Sequence, residues 1–316
     1  MFKEWKEKEY IPPKTMVKLF TKGTFALSKV LIKNFGKLKK NRMEKVEYFP
    51  PKRKYELPKY KPGMKFIKSD EKYLRPTLYC NPYKKEIIAL ANYLGAFEKK
   101  PYEYARDAFE FVKRNIILQI LPLDGVVATL KRGYGTCLHK ISLFIALCRV
   151  AGLKARYKLY ALTMIQQWYE TFVQPDPLMQ EWYNAMGYFM LHGEGEVLIN
   201  DKWIVADVGP TPERQASAGI PITKFGEDSI GIWFKALPGS IMRVESLPIG
   251  LGIASKILME KIAPSSVKKI NNSILKQYEK GKKILEEIGE KEYDKKVRKG
   301  YKMPKIELEK KSIIFE

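Results

Sequence analysis

Gly133-Tyr-Gly-Thr-Cys137, followed by the apolar run Leu143-Phe-Ile-Ala-Leu-Cys-Arg-Val150, is the stretch that decides the fold. The two glycines permit a tight turn, and the apolar run predicts a buried helix that ends near Gly152. Cys137 would then lie in the first turn of that helix. Free backbone N–H groups at a helix start favour a thiolate and can stabilise an oxyanion on a neighbouring carbonyl. From this stretch alone, a buried structural cysteine remains the simpler interpretation.

A histidine and an aspartate further along the chain extend the pattern. Only two histidines occur in the 316 residues, and His192 lies ahead of two predicted strands, 196–199 and 203–208. Asn200-Asp201 between the strands predicts a hairpin turn, which would bring Asp207 beside the start of the first strand. A nucleophile, a base and a carboxylate would then follow one another in the chain order Cys137, His192, Asp207.

Three ordered segments resemble the transglutaminase-like core of archaeal and bacterial type. They are the turn and helix that begin at Gly133, the stretch Ala151-Gly-Leu-Lys-Ala-Arg-Tyr157, and the segment 192–207, in which a histidine leads one strand and Trp203 opens the next. The resemblance implies an α+β fold with a papain-like core, in which the cysteine-bearing helix packs on an antiparallel sheet. It also implies Cys137 as nucleophile, His192 as general base and Asp207 as the residue that orients it, with no cofactor.

The resemblance leaves more than one activity open. No tryptophan occurs between Trp5 and Trp168, although cross-linking members of the family use an upstream tryptophan near the oxyanion. We therefore expect a cysteine protease or amidase that cleaves an amide or peptide bond of a protein or peptide through a thioester on Cys137. The alternatives are a protein-glutamine acyltransferase and a non-catalytic interaction or scaffold module. An upstream amide side chain, from Asn115 or Gln119, would complete the oxyanion hole.

Aromatic side chains are candidates for contacting the substrate. The segment 163–191 is rich in aromatic residues and separates the cysteine and histidine segments. It would either pack locally or form a wall over the site, because loops on a rigid scaffold often determine specificity. The substrate-binding candidates are Tyr134, Trp168, Tyr169 and Trp182.

A metal site is not expected from the sequence. His139 follows Cys137 by two positions, which is about 200° of rotation around a helix. The two side chains would therefore point apart. Three cysteines and two histidines in all do not assemble into a zinc-binding spacing, and the same three cysteines do not make a disulfide framework.

The positive charge of the chain belongs mainly to its ends. The formal net charge is +23, of which residues 1–68 contribute +14 and residues 264–316 contribute +6. We predict three parts: a basic helical N-terminal extension with a Pro-rich connector (1–68), a catalytic domain (69–263) and a charged helical C-terminal extension (264–316). Within them, the spacing predicts helices over 101–121 and 249–262, the latter packed.

The basic ends have several interpretations. Lysine-rich surfaces are most often solvated, and Lys/Glu enrichment is typical of thermophilic proteins. Binding to an anionic membrane surface or to a protein partner are the alternatives. Nucleic acid is not expected, because no recognition motif is present. The expected location is the cytoplasm, with attachment at the periphery of the membrane as the alternative.

Overall fold

The structure, a computed structural model, describes residues 13–41, 46, 48, 50–186, 190–232, 234–236 and 240–302. Its α-helices are α1 (Pro13–Lys33), α2 (Phe35–Asn41), α3 (Lys85–Tyr93), α4 (Pro101–Asn115), α5 (Val126–Arg132), α6 (Cys137–Val150), α7 (Gln166–Phe172), α8 (Pro177–Met186), α9 (Pro212–Ser217), α10 (Gly250–Lys256), α11 (Pro264–Ile288) and α12 (Glu290–Gly300), with a π-helix at Ile257–Ile262. The strands are β1 (Ile117–Leu118), β2 (Tyr134–Gly135), β3 (Ala155–Met164), β4 (Met190–Ile199), β5 (Lys202–Ala206), β6 (Phe234–Ala236) and β7 (Met242–Val244).

Five of the strands form one antiparallel sheet. The order is β5-β4-β3, and both β6 and β7 pair with the far edge of β3, at its two ends. In the register of β3 and β4, His192 lies opposite Tyr160. β1 and β2 form a separate parallel pair, in which Leu118 lies opposite Gly135, just before the cysteine-bearing helix.

The helix α6 is the centre of the core. Every residue from His139 to Val150 is buried. Two glycines of β4 allow the close contact with the helix, because a Cβ at Gly195 would lie 2.7 Å from the Phe144 ring and one at Gly193 would lie 3.1 Å from Ile141. The predicted α+β fold, a cysteine-bearing helix packed on an antiparallel sheet, is confirmed.

Two of the predicted helices differ from the structure. The helix predicted over 101–121 ends at Asn115, because residues 117 and 118 pair with β2 as a short strand. The helix predicted over 249–262 forms as an α-helix over Gly250–Lys256 and a π-helix over Ile257–Ile262, and it packs by one face only, with Leu251 against the core. Ile249, Ile253 and Ile257 recur every four residues, so they share one face, and they are 75%, 67% and 50% exposed.

The segments before and after the sheet pack against the rest of the protein. Tyr55, Leu57 and Tyr60 of the Pro-rich connector pack against the core, and the Ile67 N–H donates to the Val150 carbonyl at 2.9 Å. Near the other end, α11 packs closely on α9, where a Cβ at Gly281 would clash with the backbone of that helix. The division of the chain at residues 68 and 263 stays a prediction. Among the described residues, no helix is both long enough and apolar enough to cross a membrane.

Candidate active site

Cys137 is the first residue of α6, and the residues before it explain why the helix begins there. Gly133 ends α5 with φ +79°, a conformation that favours glycine. Gly135 leaves room for the side chain of His139, which a Cβ would approach to 2.6 Å. Thr136 caps the helix: its hydroxyl accepts from the His139 N–H, and the Thr136 N–H donates back to the His139 ring at 3.1 Å. The Cys137 side chain is half-buried.

His192 and Asp207 lie on the β4–β5 hairpin. Asn200 and Asp201 both have positive φ at its turn, as the Asn-Asp pair predicts. β4 begins earlier than predicted, so His192 lies within the strand rather than ahead of it. The register then brings Asp207 beside it, with 3.6 Å between His192 Nε2 and Asp207 Oδ1.

The backbone at Gly209 shows that these three side chains converge. A Cβ built there would lie 3.0 Å from Asp207 Oδ1, 3.0 Å from His192 Cε1 and 3.6 Å from the Cβ of Cys137. A glycine at this position leaves the space that the cluster occupies. The fold therefore brings together all three residues that the sequence put forward as Cys, His and Asp.

The electrostatics of the cluster favour a charged imidazole. Burial lowers the pKa of His192, but hydrogen bonding and charge interactions with Asp207 and Cys137 outweigh it and raise the pKa to about 10. Burial acts on Asp207 in the opposite sense, yet His192 and the nearby Lys113 hold the pKa of this carboxyl below its usual value. An imidazolium next to a half-buried thiol is the arrangement that stabilises a thiolate.

Asp207 accepts hydrogen bonds from a neighbouring backbone group and from a distant loop. Its Oδ1 accepts from the Gly209 N–H at 2.9 Å, and its Oδ2 accepts from the Ser229 hydroxyl. The Ser229 N–H in turn donates to Glu194 Oε1 at 3.3 Å. Both carboxylate oxygens of Asp207, which is fully buried, are thus fixed in place.

Glu194 extends this network behind the histidine. Lys158 Nζ donates to it at 2.9 Å and the Tyr160 hydroxyl donates at 3.0 Å. The Tyr160 ring meets the His192 ring edge to face, with 5.5 Å between centroids. Burial raises the pKa of Glu194 to about 7, although Lys158 opposes the change.

Part of the amino-acid sequence matches a known protein family. Residues 88–208 match the model of the transglutaminase-like superfamily. This segment is therefore similar to the transglutaminase-like core. No curated protein matches the chain. Among solved structures, the chain is similar to a candidate cysteine protease from Cytophaga hutchinsonii, at 20% identity and a TM-score of 0.32. That match covers 43% of this chain and 40% of the other, so the chain spans less than half of the length of that structure.

The two oxyanion candidates differ in their surroundings. Asn115 is half-buried at the end of α4, and its amide donates to the Phe111 carbonyl of the same helix at 3.0 Å. Gln119 is fully buried, and neither polar atom of its side chain has a hydrogen-bond partner among the described residues. Its backbone N–H donates to the Gly135 carbonyl at 3.0 Å, two residues before Cys137.

The aromatic candidates are spread over two places. Tyr134 lies in β2, three residues before Cys137, and is half-buried. Trp168 lies in α7, is buried at 5% exposure and stacks on Phe172 with 5.0 Å between centroids. Tyr169 and Trp182 are half-buried on α7 and α8. Within the segment 163–191, α7 and α8 thus pack against a second cluster of the core.

Three buried cations in this part of the fold were not predicted. Lys113 donates to the Pro210 carbonyl and to Thr223, both at 2.9 Å, and burial lowers its pKa to about 8. Lys140 donates to the Lys113 carbonyl at 3.3 Å. The Arg214 guanidinium lies 4.7 Å from the Trp168 ring, and its Nε and Nη1 lack acceptors within the described part of the chain.

No sequence signal marked these cations, because lysine and arginine are usually exposed and their burial depends on distant loops. Ser229 was missed for a similar reason, since it lies 22 residues after Asp207, outside the segments that resemble the family.

His139 has a structural role. It is fully buried, its Nδ1 accepts from the Thr136 N–H at 3.1 Å, and its Nε2 lies 3.2 Å from Asp124 Oδ1, to which the N–H of that tautomer donates. Burial lowers its pKa. Within the described ranges, no group of three or more His, Cys, Asp or Glu side chains is arranged to hold a metal ion.

Proposed function

We propose that the chain is a cysteine hydrolase that cleaves an amide or peptide bond through a thioester on Cys137. The observation that carries the proposal is the convergence of Cys137, His192 and Asp207 around Gly209, with the pKa of His192 raised to about 10. The family match over 88–208 supports it. A protein or peptide is the proposed substrate.

Each step is assigned to a named group. The Cys137 thiolate attacks the carbonyl carbon, and the His192 imidazolium gives its proton to the leaving amine. The neutral His192 then takes a proton from water, which attacks the thioester and releases the acid. Asp207 orients the imidazole through its Nε2 side, held by Gly209 and Ser229.

The oxyanion would be stabilised at the start of α6. The backbone N–H of Cys137 is one donor, because the first N–H groups of a helix have no partner within it. The Gln119 amide is the second, because it is buried next to this turn without a hydrogen-bond partner among the described residues. Asn115 is the weaker candidate, since its amide is already bonded to Phe111.

The proposed compartment is the cytoplasm. All three cysteines are free thiols, as a reducing compartment keeps them.

The test is a digest of extract-derived peptides in water enriched in ¹⁸O, with a labelled primary amine present. We expect new carboxyl termini that carry ¹⁸O, and none with the Cys137→Ala variant. Incorporation of the amine instead of ¹⁸O would show acyl transfer and overturn hydrolysis. A second arm measures labelling by an electrophilic probe for cysteine enzymes. If Cys137 is labelled no faster than a free peptide thiol, the proposal that the chain is a cysteine enzyme is overturned.

A further inference from the structure

The N-terminal helices α1 and α2 have two different faces. Ala26, Val30 and Leu38 are 2%, 6% and 4% exposed and face the body of the protein. Asn34 lies on the same side, and its amide donates to Glu181 of α8 at 2.8 Å. These helices are therefore fixed to the protein by one face only, which leaves the other face in contact with solvent.

The outer face carries large apolar side chains. Phe25, Ile32 and Phe35 are 61%, 76% and 63% exposed. Phe25 and Ile32 lie seven residues apart on α1, and Phe35 begins α2 three residues later. Helical hydrogen bonds from Asn34 to Val30 and from Leu38 to Asn34 continue across the junction, so this spacing puts the three side chains on one side. Single exposed hydrophobic residues are normal on a protein surface. A contiguous row of three large ones is typical of an interaction site.

Positive charge surrounds this row. Residues 10–43 contain nine Lys and Arg and no Asp or Glu. Lys29, Lys37 and Lys39 are exposed beside the row, and the Lys29 ammonium lies 5.6 Å from the Phe25 ring. Lys33 pairs with Glu181 at 3.3 Å. Among the side chains that the structure describes, Lys29, Lys37 and Lys39 form no ion pair and are available to an anionic surface.

We propose that this face, formed by Phe25, Ile32 and Phe35 with the lysines around them, docks the protein on an anionic lipid surface. Apolar side chains in one row enter the boundary between headgroups and acyl chains, while lysines alongside contact the phosphates. A nucleic acid would use the lysines and leave the isoleucine and phenylalanines without an apolar contact. The combination of both features fits a lipid surface best, and it stands independently of the reaction at Cys137.

The test is flotation of the full chain with vesicles of phosphatidylcholine alone or with about 30% phosphatidylserine. We expect the protein to float with the anionic vesicles and to stay in solution with the neutral ones. The variant Phe25→Ser/Ile32→Ser/Phe35→Ser should bind the anionic vesicles at least about tenfold more weakly. Circular dichroism and the thermal unfolding midpoint check that this variant is folded.

A matched control is available on another surface. Ile249, Ile253 and Ile257 are comparably exposed, and their triple replacement by serine should leave flotation unchanged. Replacing Lys29, Lys37 and Lys39 by glutamine should weaken flotation, as should about 0.5 M salt, because salt screens exposed charges. Lys33 is left intact because it holds α1 to α8.

Four results would overturn the proposal. The first two are the absence of flotation with anionic vesicles and flotation of the Phe25/Ile32/Phe35 serine variant at the wild-type level. The other two are an equal loss of flotation in the Ile249/Ile253/Ile257 serine control, and binding of the protein to a DNA oligonucleotide but not to vesicles. A wild-type dimer that the triple serine variant abolishes, in the absence of flotation, would assign the face to self-association and also overturn it.

Discussion

The helix α6 carries a cysteine near each end, and the two thiols meet different surroundings. Cys137 lies at the first turn, half-buried, next to His192 and Asp207. Cys148 is fully buried near the last turn, where burial raises its pKa far above the usual range. Beside it, Arg149 is held by backbone carbonyls, among them that of Ala155 at 2.9 Å. The difference teaches that two cysteines of one helix meet different surroundings because of their position on it, and the proposed nucleophile is the one at the helix start beside His192.

The largest expected effect concerns alkylation of the two thiols. Replacing His192 by alanine should slow iodoacetamide modification of Cys137 at pH 6 by more than about 100-fold, because the imidazolium beside the sulfur is lost. Peptide mapping by mass spectrometry would measure the rate at each cysteine.

Cys148 is the internal control for that experiment. We expect it to stay unmodified in both proteins as long as they are folded, since it is fully buried. Modification of Cys148 at a rate similar to that of Cys137 would show that accessibility alone distinguishes the two ends.

The next effect concerns the oxyanion. Gln119→Ala should lower kcat about 100-fold, as the loss of one donor does in other hydrolases. The matched variant is Asn115→Ala, which should change kcat little because that amide is bonded within its own helix. The reverse order of the two variants would move the second donor to Asn115. The alkylation rate of Cys137 serves as a check that the site is intact.

At the other end of α6, Cys148→Ser should lower the free energy of unfolding by about 2 kcal/mol, because the new hydroxyl would be buried without a hydrogen-bond partner. Urea denaturation measures the change. The same variant should leave the alkylation rate of Cys137 unchanged. Cys137→Ser, at the half-buried end, should cost less stability, and a larger cost there would contradict the contrast between the two ends.

The smallest of these effects is a shift in a titration. His192 should remain protonated up to about pH 10, and Asp207→Asn should lower its pKa by at least about one unit, because the charge that favours the imidazolium is removed. NMR of the two imidazole rings measures this, with His139 as the unshifted control. Because the folded pKa of His192 is raised, the stability that its protonation contributes is complete below about pH 6.5 and is lost as the pH rises through about 10.

Local patterns accounted for the parts of the site that sequence could predict. The double-glycine turn and the apolar run fixed Cys137 at a helix start, and Asn200-Asp201 fixed the hairpin that carries His192 and Asp207. Each of these depends on neighbours within a few residues. Whether Cys137, His192 and Asp207 act together in catalysis stays a prediction.

The parts that could not be predicted depend on pairing between distant segments. The helix predicted over 101–121 ends early because residues 117 and 118 join β2, and that pairing is what brings Gln119 to the turn before Cys137. The support of Asp207 by Ser229 requires a loop 22 residues further on. The exposure of Ile253 could not be foreseen either, because an apolar pattern does not say what covers it.

The groups that cap α6 affect the electric field at the Cys137 sulfur. Thr136 and His139 satisfy the helix start with neutral groups, and no acidic residue occupies the first turn. An aspartate cap would place a negative charge there and cancel part of the positive end of the helix. Burial lowers the pKa of His139, which favours the neutral ring in the cap. The cap therefore adds no negative charge of its own to the first turn of α6, and the positive end of the helix acts on Cys137 together with the His192 imidazolium.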